Sequence, residues 1–310
     1  MSEESRTTVV LAMAANLGIA AAKGAAGALS GSAAMISEAA HSLADTLNEA
    51  LLLVAVRRSS RPADDTHPFG YGRERYFWTL LTAVGIFVGG GVFSVVQGIN
   101  RLRGGGHESA GHYVPSYVVL GVSLALEMVS WLQARGQLRH AAAATQRTFR
   151  DELWQTSDPA VTTVFLEDSA ALVGLVLAAA GIGLHQLTGN DTWDGLASIA
   201  IGVVLVAVAI ALGRDNRRLI IGEAADPRLR DGLRDLIASY DEVDAVDELL
   251  TMVIGRAEVL VAARIDLDDT MTAAQVEALA RRMESDIGAR HPEVRHFFLD
   301  VTADARTPRS

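Results

Sequence analysis

The chain contains no cysteine, so disulfides and thiolate metal sites are excluded. Any metal must be held by imidazole and carboxylate, a donor set that suits zinc, iron and manganese. Basic residues are in deficit, 27 against 37 acids, for a formal charge of -10, and this excess of acid argues against nucleic-acid binding. Internal repeats and low-complexity tracts are lacking. The residues before the first long apolar run, MSEESR, lack a basic leader, so that run is expected to remain as a helix rather than be cleaved. The polar C-terminal part shows no nucleophile elbow, phosphate-binding loop or carboxylate dyad, and no enzymatic activity is expected of it.

What the chain does have is apolarity. It is 50% hydrophobic, and the first two thirds contain six runs of about 20 apolar residues, the length that crosses a bilayer. They cover 8–29, 33–56, 76–101, 113–132, 160–184 and 193–212. Six spans place both termini on one side. Arg57, Arg58, Arg61, Arg73 and Arg75 follow span two, Arg135, Arg139, Arg147 and Arg150 follow span four, and Arg214, Arg217 and Arg218 follow span six. The opposite loops offer only Arg101 and Arg103. Arginine-rich short loops stay cytoplasmic, so both termini are expected there, in a bacterial inner membrane.

Ionisable side chains interrupt this apolarity unevenly. Lys23 lies in span one, Glu38, His41, Asp45 and Glu49 in span two, Glu127 in span four, and Glu167 and Asp168 in span five. A charge at bilayer depth costs at least ~3 kcal/mol and normally faces a protein interior or a water-filled path. Spans one, two, four and five are therefore expected to bundle, leaving three and six toward lipid or a partner subunit. Gly85 and Gly89 of span three have the small-xxx-small spacing of close helix contact, which leaves a dimer face and simple glycine abundance both open. Lys23 and Glu49 are expected to snorkel or pair, and Glu127 to bond a neighbouring helix.

His41 and Asp45 stand four residues apart and share one helical face. Asp168, with Glu167 beside it, can meet them if spans two and five pack face to face. An imidazole with two or three carboxylates suits a divalent ion. Glu38 and Asn48, one turn either way along span two, are candidates for supporting the ligands.

These residues carry a resemblance. Six spans, a polar pair in the second, another in the fifth and an αββαβ tail look like the cation diffusion facilitator family. SEAAHSLADTLNEALL, DDTHPFGYGRERY, GIFVGGG and FLEDSAALVG resemble the zinc transporter 9-like branch. The resemblance implies a metal ion, usually zinc, held midway through the membrane by His41 and Asp45 of span two and Asp168 of span five, with Gly174 at a position where the family often has glycine. One departure is that Val164 stands where the commoner pattern has histidine; Glu167 is expected to supply the missing contact, water or a three-coordinate site being the alternatives. A second family site, in the loop after span two, would use Asp64 and His67, but Tyr71 replaces its second histidine. Arg73 occupies the place of a basic residue that resembles one used in dimer contacts; pairing with a tail acid and an ordinary loop charge both stay open.

Beyond 222 the pattern is that of a small α/β unit, giving domains 1–222 and 223–310. A helix is expected over 227–239, strands over 249–254 and 258–267, a second helix from Thr272 with Gln275 completing a capping box, and a strand over 294–302. The fold expected is thus a six-helix transmembrane domain with a cytoplasmic αββαβ domain. His291 is expected at a helix end. Convergence of His296, Asp300 and Asp266 on a metal is not expected. His107, His112, His140 and His185 are expected in solvated loops or span ends.

The function implied is divalent metal/proton antiport by a homodimer in a lipid bilayer, with zinc as cargo and no resident cofactor. Protons compete with metal for the same ligands. The alternatives are manganese or iron as cargo, and a membrane-anchored metal sensor or scaffold that moves nothing.

Overall fold

A computed structural model describes residues 3–104, 113–144, 146–155 and 159–302. The chain divides into Met1–Arg57 with Arg75–Arg217, and Arg58–Glu74 with Arg218–Ser310. The loop after the second helix thus groups with the C-terminal residues, a sharing that the single division at 222 did not include.

The first unit consists of long helices. These are α1 (Glu3–Ser30), α2 (Ala33–Ser59), a rod made of α3 (Glu74–Gly85), a π-helical segment (Ile86–Val92) and α4 (Phe93–Leu102), then α5 (Val114–Ala144), α7 (Pro159–Thr188) and α8 (Thr192–Ile221), with a short α6 (Phe149–Gln155) before α7. The rod Glu74–Leu102, α5, residues Val161–Thr188 of α7, and α8 are long and apolar enough to cross a membrane. The helices α1 and α2, of 28 and 27 residues, have the length as well but carry the polar groups that make a site.

Two adjacent residues end α1 and start α2. Gly31 takes φ +68, the left-handed turn that terminates a helix and favours glycine. Ser32 then caps α2, its Oγ accepting from Met35 N at 3.2 Å. Along α2, Glu38, His41 and Asn48 are buried while Leu43 and Leu47 are exposed, so the helix turns its polar stripe inward.

One expectation about packing is corrected. Ile86 of the third rod and Ile201, Leu205 and Leu212 of α8 belong to the same buried cluster as Met35 and Leu175. Spans three and six are therefore core elements. Of the four apolar helices, α5 is the most exposed and α8 the most buried. Lipid is as apolar as these side chains, so close packing rather than escape from water brings α8 inside, and glycines on both α8 and the third rod permit the approach. Gly85 faces Asn48 and Gly89 faces Ala44, both on α2, while Gly91 and Gly98 face α8 at Gly202 and Gly195. Gly91 and Gly98 serve close contacts within the chain, while Gly89 is exposed.

In the second unit, α9 (Pro227–Ala238), β1 (Val243–Gly255), β2 (Glu258–Leu267), α10 (Ala273–Arg290) and β3 (Val294–Val301) follow the αββαβ order. The sheet runs β1-β2-β3, antiparallel then parallel. Asp226 caps α9 with Pro227 at its first position, and Gln275 Oε1 accepts from Thr272 N at 2.8 Å at the start of α10. Val259, Val261, Ala263, Ile265 and Leu267 alternate inward and pack with Leu233, Ile237 and Met283. The first strand begins six residues before the expected Leu249, because VDAVDE pairs with β2 through bulges and so hides its apolar alternation.

Candidate metal centre

The polar faces of α1, α2, α5 and α7 enclose a cavity of about 250 Å³ inside the first unit. Ser42, Asp45 and Glu49 of α2, Asn16 of α1, Glu127 and Ser130 of α5, and Val164, Glu167 and Asp168 of α7 all line it. Asp168 Oδ2 accepts from Ser130 Oγ at 2.7 Å. Glu167 Oε1 accepts from Asn48 Nδ2 at 2.8 Å, and Glu49 Oε1 accepts from Asn16 Nδ2 at 2.7 Å. Each acid thus keeps oxygens for something else.

His41 is buried beside this cavity and is not one of its walls. Its Nδ1 stands 3.4 Å from Asp45 Oδ1, and neither ring nitrogen nor that oxygen makes a hydrogen bond. Buried polar atoms without partners are costly, so a free imidazole and a free carboxylate oxygen side by side fit a cationic guest. As the side chains stand, however, no group of three or more histidine, aspartate or glutamate side chains among the described residues is drawn together tightly enough to hold a metal ion. Asp45, Glu167 and Asp168 share the cavity; His41 touches it only through Asp45.

The remaining candidates separate clearly. Asn48 supports Glu167, as above. Glu38 instead pairs with Lys23, Oε2 to Nζ at 3.1 Å, and a Cβ at position 174 would collide with Glu38 Oε1 where it stands, so a methyl there must displace the end of that paired side chain. Glu127, expected only to bond a neighbouring helix, is a cavity wall. The signal that could have found it is Ser130 three residues on, which puts two polar groups on one face of an otherwise apolar helix. Val164 also faces the cavity, so a histidine there would have joined the site.

In the second unit, Asp64 and His67 form a tight turn. Asp64 Oδ1 accepts from Thr66 N, Thr66 Oγ1 and His67 N, and Oδ2 accepts from Tyr71 OH at 2.7 Å. The Thr66 hydroxyl, then the Tyr71 hydroxyl and the His67 amide, hold this carboxyl below its ordinary range. Tyr71 thus satisfies one oxygen of Asp64, the acid expected at the loop site. Arg73 donates to Ile220 O at 2.9 Å, a backbone carbonyl rather than a tail acid. Asp300 pairs with Arg264 at 2.9 Å, and His296 packs edge-on against Phe69. His291 caps the end of α10. His185 corrects its expectation of a solvated ring: Nε2 shares a hydrogen bond with Tyr113 OH at 3.0 Å, and Nδ1 stands 3.1 Å from Asp191 Oδ1 without one. His107 and His112 lie outside the described residues.

Comparison with known proteins converges on the same helices. A family described as the cation efflux transmembrane domain matches residues 9–221. The chain belongs to the cation efflux family. It is 33% identical over 309 positions to the mitochondrial proton-coupled zinc antiporter SLC30A9 of Xenopus laevis, covering 87% of this chain and 55% of the relative. To metal tolerance protein C4 of Arabidopsis thaliana it is 35% identical, over 78% of this chain and 52% of the relative. The manganese efflux system protein MneP of Bacillus subtilis is 22% identical, over 96% and 95% of the two chains. The chain spans about half the length of the first two relatives.

Proposed function

We propose that this chain exports a divalent metal cation, zinc first, in exchange for protons, by alternating access to the cavity between α1, α2, α5 and α7. One observation carries the reading: Asp45, Glu127, Glu167 and Asp168, from three helices, line a single cavity within membrane-crossing rods. Isolated carboxylates are too costly there without a cation to neutralise them. Asp45 and Asp168 offset the two charges of the metal, with His41 and Glu167 as further ligands. A carboxylate or imidazole holds metal only when deprotonated, so metal entry releases protons and protons entering from the other side displace metal. This competition turns a proton gradient into metal flux. Similarity to a proton-coupled zinc antiporter supports the coupling, and the arginine-rich loops support cytoplasmic termini for a homodimer in a bacterial inner membrane.

The test is reconstitution into vesicles with a buffered pH gradient. Zinc uptake that accelerates with the gradient and releases protons is expected; uptake indifferent to the gradient overturns the coupling. Zinc bound without any flux would favour the sensor or scaffold reading.

Manganese as cargo is favoured by a separate observation. The cavity walls offer oxygen donors, while the imidazole of His41 stands behind them, and oxygen-only sets suit manganese better than zinc. Competition between the two ions in the same vesicles separates them.

A further inference from the structure

Lys23 is the only lysine in the chain; all other lysine or arginine positions are arginine. It is fully buried in a membrane helix. Its Nζ lies 3.1 Å from Glu38 Oε2 and donates to Ser42 Oγ at 2.8 Å. Glu38 is likewise fully buried, whereas the Asp45 side chain keeps 20% exposure.

The pair has a definite place along the helices. The cavity walls on α1, Asn16 and Ile19, precede Lys23; those on α2, from Ser42 onward, follow Glu38; and those on α7 end at Ala171, before Gly174. α2 runs opposite to α1 and α7, as the contacts of Ser32 with Asp194 and of Tyr113 with His185 fix at their ends. Lys23, Glu38 and Gly174 therefore lie together on one side of the cavity, toward the α1–α2 turn. Beyond them that side is tied again, by Ser37 Oγ to Ser198 Oγ at 2.7 Å and by Asp194 Oδ2 accepting from Ala33 N at 2.5 Å. Ser42 is shared, since it binds the ammonium and lines the cavity. A cation leaving toward the turn meets a like charge one side chain away.

We propose that the Lys23–Glu38 pair, joined to the cavity through Ser42, is the gate that closes the cation path on the α1–α2 turn side. This rests on the transport reading above. Lys23 is a positioning residue: it touches Glu38 and Ser42 and acts on the cargo by its fixed charge. Opening requires the pair to part. A compact ammonium on a flexible four-carbon stem suits that task better than a forked guanidinium, which would hold the carboxylate through two bonds. Gly174 leaves the space in which Glu38 reaches its partner.

The natural absence of cysteine makes the test direct. Ile19→Cys places one thiol on the cavity wall, to be labelled in the full chain by a membrane-impermeant maleimide applied to either face of oriented vesicles without metal. Labelling is expected only from the side opposite the turn. The double variant K23M/E38Q removes both charges and strands neither, and it should make the same thiol label from both sides. One-sided labelling that persists in K23M/E38Q overturns the gate, as does labelling from both sides, or from neither, with the pair intact. Metal flux in the same vesicles reports separately: a protein that gains two-sided labelling yet never carries zinc or manganese keeps the gate and loses the transport reading.

Discussion

His41 with Asp45 and Asp64 with His67 are histidine–aspartate pairs four and three residues apart, and they behave in opposite ways. At His41 and Asp45 the donor atoms are buried and unpartnered; at Asp64 and His67 the carboxylate has its oxygens filled by Thr66, His67 and Tyr71. Spacing alone makes them look alike. Hydrogen-bond satisfaction tells them apart, because a buried donor left open is paid for only by a guest, while a satisfied turn has no capacity to spare.

That contrast can be broken most severely at Asp45 and Asp168. Asp45→Ala or Asp168→Ala should lower zinc-dependent flux by more than about 100-fold, beyond the 10–100-fold typical of supporting residues, with helical content unchanged by circular dichroism. A protein that still transports would make the membrane pair as structural as the loop pair. Gly174→Ala comes next: the added methyl meets the Glu38 carboxylate, and overpacking of this kind costs about 1–3 kcal/mol, to be read as a drop in thermal stability in detergent. Glu127→Gln sharpens the site's boundary. A loss of about tenfold in zinc affinity, by titration, would mark it as part of the site; unchanged affinity would return it to a helix-bonding role.

The loop should respond least. Asp64→Ala should leave flux as it is while removing hydrogen-exchange protection at the Thr66 and His67 amides; lost flux would mean the loop does more than hold itself. Its pH response has a defined sign. The folded carboxyl lies below the unfolded value of 3.8, so its stabilisation is present above that value and is lost as the pH falls from it toward the folded value. Protection of those amides should weaken over that acid range, and Asp64→Asn should flatten the change.

The second unit was legible at the level of elements because its signals are local. The alternation from Val259 to Leu267 and the Thr272–Gln275 cap depend on near neighbours, and both stand in the structure. The start of β1 was not, since its pairing through bulges is decided by the partner strand. In the membrane the length of the rods was readable but their neighbours were not. An even coat of apolar side chains on α8 says nothing about which face meets lipid, and only packing placed Leu205 and Leu212 in the core.

The sequence by itself determined that polar groups interrupt particular rods, and that His41 and Asp45 must share a face, since helical periodicity is covalent and local. Tertiary structure alone decided which acids meet. It set Glu127 in the cavity wall, took Glu38 away to Lys23 and kept His41 behind Asp45. Those choices turn on the rotation and depth of one helix against another, and these follow from the packing of many distant side chains together.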